Sequence, residues 1–121
     1  MEQAFTYSFE KLEVWKLSRK LNNYIYDITD QFPYKEEKNL TLQIRRASVS
    51  ISSNIAEGSG KLSKKDYKRY LQISFGSAME LLSQFYLAFD RKYIEEKTLN
   101  ELKIRLNSIT RMLNSLSQSP K

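Results

Sequence analysis

Apolar residues recur along this chain at steps of three and four, in four runs divided by short polar breaks. That spacing places the apolar side chains on one face of an α-helix, and the two-residue alternation of a half-buried strand is missing. The first run, residues 12–32, carries Val14, Leu17, Leu21, Tyr24, Ile25, Ile28 and Phe32. Pro33 ends it by disfavouring helical geometry at the residue before it. The second run, residues 35–58, opens with Glu36 and Glu37 where the helix dipole favours anions, and keeps Leu40, Ile44, Ala47, Ile51 and Ile55 on one stripe. Gly58 then stands where a left-handed helix stop belongs. After a turn at Ser59, Gly60 and Lys61, the segment Ser63-Lys64-Lys65-Asp66 has the form of a capping box with aspartate in the glutamate place, which predicts a third helix over residues 63–92. The fourth, residues 95–117, repeats Leu99, Leu102, Leu106, Ile109, Leu113 and Leu116, and residues 117–121 read as a frayed end.

Four amphipathic runs joined by short connections predict an all-α, antiparallel up-down-up-down four-helix bundle, and 121 residues fit one domain, residues 1–121. The third helix is more apolar than such a bundle needs. Besides the rows Leu71–Ala78–Phe85 and Ser74–Leu81–Ala88 it carries Phe75–Leu82–Phe89 and Met79–Tyr86–Tyr93, and the second helix adds Leu42, Val49 and Ala56 off its main face. Removing such rows from water at ~25 cal/mol per Å² favours self-association, so a homo-oligomer is expected. A wide core with tyrosines reaching outward is the alternative. Gly76 in mid-helix costs about 1 kcal/mol relative to alanine, which predicts close backbone approach of another helix, with Ala47 and nearby serines as the facing surface.

Cysteine and histidine are both absent. Disulfides, zinc sites of the Cys/His kind, thiol nucleophiles, imidazole bases and Glu-x-x-His di-iron centres are thereby excluded. Glycine-rich phosphate loops and nucleophile elbows are missing too, so no catalytic residue, cofactor or metal is assigned and the chain is read as a non-enzyme. Of the net charge of +6, four units fall within residues 61–94, where seven Lys and Arg oppose three Asp and Glu. The excess concentrates at Lys61, Lys64, Lys65, Lys68 and Arg69, opposed locally by Asp66 alone. A patch of this kind attracts polyanions, and an ordinary solvated helix face has the same composition. Arg46, Ser50, Asn54 and Glu57 form a polar row on the second helix. An Arg46–Glu80 ion pair across Gly76 is one expectation for that row. Arg45 and Arg46 meeting phosphate is the other.

The run Gln43-Ile44-Arg45-Arg46-Ala47-Ser48-Val49-Ser50-Ile51-Ser52-Ser53-Asn54-Ile55-Ala56-Glu57-Gly58, with a later Gly76-Ser77-Ala78-Met79-Glu80-Leu81, resembles the core motif of a bacterial family. Its members are the four-helix-bundle proteins encoded inside 23S rRNA intervening sequences. The likeness extends from about Phe9 to about Leu116, and Asn54, Glu57, Gly58, Gly76, Ser77 and Glu80 are the motif positions here. It implies ring-like pentamers and an association with RNA, as does similarity to the nucleic-acid-binding accessory proteins of diversity-generating retroelements. Two readings of function follow. In the first, Lys61, Lys64, Lys65, Lys68 and Arg69, with Arg45 and Arg46, contact RNA phosphates, and Tyr67 and Tyr70 either stack on unpaired bases or pack in the core. In the second, the chain is a protein-interaction scaffold with no nucleic-acid role. The N-terminus lacks a basic start followed by an apolar segment, and 18 apolar residues nowhere run together, which predicts a cytoplasmic protein without a membrane span.

Overall fold

In a computed structural model that describes residues 2–119, the chain folds as one four-helix bundle. A 3-10 turn at Ser8–Lys11 leads into α1 (Glu13–Thr29), and a second at Tyr34–Glu36 precedes α2 (Leu40–Ser59). The long α3 (Lys64–Asp90) and α4 (Glu96–Gln118) complete it. Each helix packs on its chain neighbour and α1 closes against α4, while the diagonal pairs stay apart among the described residues. The direction of packing is fixed by pairs running in reverse order. Gly58 meets Tyr70 whereas Ser50 meets Ser77, so α2 and α3 are antiparallel. Arg45 reaches Thr29 and Ser48 reaches Asn22, which does the same for α1 and α2.

The core is the set of stripes seen in the sequence. Val14, Leu21 and Ile25 from α1, Ile44, Ile51 and Ile55 from α2, Leu71, Leu81 and Phe85 from α3, and Leu102, Ile109 and Leu113 from α4 are all essentially excluded from solvent. Deep burial is worth about 1.5–3 kcal/mol for each such side chain, which sets the bundle's stability against chain entropy. The most extensive packing is between α2 and α3, and there the interface is built from small polar residues. The Ser74 hydroxyl donates to the Ile51 carbonyl at 2.8 Å, Ser50 and Ser77 share a hydrogen bond at 2.9 Å, and Asn54 Nδ2 donates to the Ser50 hydroxyl at 2.8 Å. Small side chains let the two backbones come close, and the hydrogen bonds between them offset the loss of water.

The structure corrects the helix boundaries at five places. Helix one ends at Thr29 and not at residue 32, because Gln31 and Phe32 N–H turn back to the Ile28 and Thr29 carbonyls in tight three-residue steps. Helix two opens at Leu40 and not at residue 35, because Asn39 adopts φ −120, ψ −104 and interrupts the chain between the 3-10 turn and α2. Gly58 is no left-handed stop: it lies inside α2, among the described residues no glycine has positive φ, and the helix ends at Gly60 in right-handed geometry. The left-handed stop belongs to Lys92, at φ 65, two residues past α3. There Lys92 N–H donates to the Phe89 carbonyl and Tyr93 N–H to that of Ala88, both at 2.9 Å, the paired hydrogen bonds of a Schellman motif. Finally, α4 runs on through Ser117 and Gln118, so part of the expected frayed end is helical; residues 120 and 121 lie outside the described residues.

Candidate functional site

The basic segment lies at the end of the bundle where α2 finishes, α3 begins and α4 ends. Ser63 caps α3 by accepting the Asp66 backbone N–H at 3.1 Å, which starts the helix before the lysines and holds their side chains at helical spacing. Steps of three and four then place Lys64, Lys65, Lys68 and Arg69 along one flank of α3, facing the last turns of α4. Between the two helices runs an open groove of about 930 Å³. Its floor is apolar, formed by Leu71, Phe75 and Leu113, and Gln72, Asn114 and Ser117 supply neutral polar walls. No carboxylate is among these lining residues. Lys65, Lys68 and Arg69 form no ion pair within 4 Å among the described residues.

The remaining basic candidates are placed differently. Lys61 lies 3.9 Å from Glu57 and 5.0 Å from the centre of the Tyr70 ring, and lines a separate hollow with Leu12, Leu62 and Tyr67 rather than the groove. Arg45 is at the far end of the bundle, since the thirteen helical steps from it to Gly58 span about 20 Å. Its Nε donates to the Thr29 hydroxyl at 2.9 Å, its Nη2 meets Asp30 Oδ1 at 2.7 Å, and its guanidinium lies 4.5 Å over the Tyr26 ring. This is a clamp between α1 and α2, and it occupies the fork that phosphate would need. Arg46 is exposed and the expected Arg46–Glu80 pair is not formed; Glu80 instead accepts a hydrogen bond from Gln84 Nε2 at 3.3 Å.

The close helix approach expected at Gly76 is found at Gly58. A methyl group on Gly58 would sit 2.7 Å from Tyr70 Cβ and 3.3 Å from the Tyr67 carbonyl oxygen, so Gly58 is the close approach between α2 and α3. Among the described residues nothing stands within 4 Å of the same position on Gly76, which is exposed and lacks the helix expected across from it. Tyr70 Cβ and the Tyr67 backbone and ring edge lie against Gly58, Lys61 stands over the Tyr70 ring, and neither tyrosine is among the residues lining the groove. Burial raises the Tyr67 phenol above its ordinary value near 10. On the other side of the bundle Tyr24 is also raised, chiefly by burial and then by Glu101, with Arg105 stacked 4.1 Å over its ring acting in the opposite sense.

Sequence reasoning missed Phe75, Gln72, Leu113, Asn114 and Ser117 as groove residues. Phe75 shares a seven-residue row with Leu82 and Phe89, and that row reads as part of the apolar surplus that favours self-association. The α4 residues lie some forty positions further on, so only the bundle's closure brings them to the lysines. Among the described residues there is no cluster of three or more acidic side chains suited to a metal, and no helix is long and apolar enough to cross a membrane.

Comparison with known proteins agrees with this geometry at the level of the fold. A Bacteroides thetaiotaomicron protein of unknown function from the S23 ribosomal protein family superposes with a TM-score of 0.78 at 24% identity, over 88% of this chain and 99% of its own. No curated protein matches the chain. The sequence pattern of the family described as 23S rRNA-intervening sequence protein matches residues 10–115, nearly the whole bundle. The chain belongs to the 23S rRNA-intervening sequence protein family.

Proposed function

We propose that this bundle is a non-enzymatic nucleic-acid-binding protein, acting on RNA, and that the groove between the start of α3 and the end of α4 is its contact surface. The observation that carries the reading is the lining of that groove: four cations on one flank and no carboxylate among its residues. Lys65, Lys68 and Arg69, held at helical spacing and forming no ion pair among the described residues, keep their charge available, and releasing counterions from a polyphosphate is the main source of such affinity. The family description names 23S rRNA, and neither it nor the neighbour's description names an enzymatic activity. Fluorescence anisotropy of labelled RNA tests the reading. Affinity should fall steeply with salt, and Lys64, Lys65, Lys68 and Arg69 all changed to Gln should flatten that dependence by about three to four units of log–log slope. Unchanged affinity in the quadruple variant would remove the groove from the proposal.

A second observation supports self-association as part of the same function. Val49 of α2 and Ile73, Met79 and Tyr86 of α3 are each about 40% exposed, Leu87 is 52% exposed, and the Cβ position of Gly76 is open among the described residues. A mid-helix glycine whose Cβ position is open among the described residues leaves room for a neighbour from another chain. Gly76→Leu should leave the bundle folded and reduce its mass in solution, whereas an unchanged mass would clear this face of any role in assembly. Ring-like pentamers, as the family resemblance implies, would give five chains of 14.3 kDa.

A further inference from the structure

We infer that the groove takes an unpaired nucleotide, with its base against the Phe75 floor and its flanking phosphates on Lys65, Lys68 and Arg69; this rests on the nucleic-acid reading above and specifies the strand form. Three features lead there. The cations stand on one flank while the bottom of the groove is Leu71, Phe75 and Leu113. A duplex would offer that bottom backbone and, from its shallow minor groove, sugar hydroxyls and base edges, but no base face, because its bases are stacked inward and the deep major groove of A-form RNA is closed to side chains. Phosphate lowered onto an apolar floor loses water and gains no hydrogen bond. An unpaired base has the opposite character: a π face that packs on an aromatic ring, and an edge carrying donors and acceptors together. The wall residues Gln72 and Asn114 match that edge, since each side-chain amide both donates and accepts. The size also agrees, because about 930 Å³ falls in the range of sites that enclose small ligands and is open enough for a strand to enter and leave.

The test compares three probes at one low salt concentration: a labelled single-stranded RNA, the same strand made abasic at its central positions, and the strand annealed to its complement. Abasic and intact strands carry equal phosphate charge, so any difference between them belongs to the bases. The intact strand should bind about tenfold tighter than the abasic one, the effect of one stacked base, and should also outbind the more highly charged duplex. Phe75→Leu keeps an apolar side chain on the floor and should erase that advantage while leaving abasic affinity unchanged; Phe75→Tyr should retain it. Equal affinity for intact and abasic strands, or a preference for duplex, would overturn the base pocket and leave phosphate binding standing. Failure to bind any of the three would overturn the nucleic-acid function itself. The wild-type comparison decides the matter even if the Leu variant does not fold.

Discussion

Gly58 and Gly76 sit in neighbouring helices under opposite constraints, and their alanine variants should differ in sign. In Gly58→Ala the new methyl meets Tyr70 Cβ at 2.7 Å and the Tyr67 backbone at 3.3 Å, neither a flexible end that could swing aside. The gain in helix propensity of about 1 kcal/mol is set against an overpacking cost of about 1–3 kcal/mol. Thermal melts should therefore show a lower midpoint for Gly58→Ala; a rise would mean that α2 and α3 separate easily here. Gly76→Ala finds open space and should raise the midpoint of the unassociated chain by the propensity gain. Lys92 has the reverse problem, a side chain at φ 65. Lys92→Gly removes an αL penalty of about 1 kcal/mol and should stabilise the fold, with no change in melting as the result that contradicts strain there. These three positions also show where the sequence was legible. A glycine after an apolar stripe gives the same local signal whether it ends a helix or admits a neighbour, and only the packed partner, Tyr70, decides between them. The lysine that does end a helix gives no local signal at all.

Between elements, the α2–α3 seam and the α1–α2 clamp contribute through different physics. Ser74 is fully buried and donates to the Ile51 carbonyl. Ser74→Ala should cost about 1 kcal/mol for that hydrogen bond, and Ser74→Leu about 3 kcal/mol as the helices are forced apart, both read from urea midpoints. Near-equal costs would show that spacing is not what the seam protects. Arg45 joins Thr29, which is buried, to Asp30, whose side chain is 67% exposed. Screening limits the ionic part, so a double-mutant cycle between Arg45 and Asp30 should return a coupling below about 1 kcal/mol. Arg45→Ala should leave RNA affinity unaltered, in contrast to the groove cations. The stripes of all four helices were legible because burial repeats with the helix period. The opening of α2 was not: Glu36 and Glu37 suit an early helical turn, yet Glu36 accepts a hydrogen bond from Tyr93, a residue fifty-seven positions away, at 2.8 Å. The groove was half legible for the same reason, its lysines from one local run and its floor and far wall from helices that meet only in the folded chain.

For the molecule as a whole, the lack of histidine and the two raised tyrosines shape the response to pH. No imidazole titrates between pH 5 and 8, so the melting midpoint should stay level there. Tyr24 and Tyr67 hold their protons more firmly folded than unfolded, so the stability they contribute is complete below about pH 10 and declines as pH rises through their elevated folded values. Tyr24→Phe with Tyr67→Phe should reduce that alkaline decline, and an identical decline in the double variant would assign it to other groups. The reversed pairing of α2 and α3, with only a four-residue turn between them, carries a consequence for kinetics. Its contacts close the shortest loop in the bundle, whereas α1 must wait for the whole chain before meeting α4. The transition state for folding should thus contain the α2–α3 hairpin. Ser74→Ala should slow folding, while truncating Tyr24 on the α1–α4 seam should mainly hasten unfolding. The small-residue contact that sets how closely two helices lie would then also set the order in which the bundle comes together.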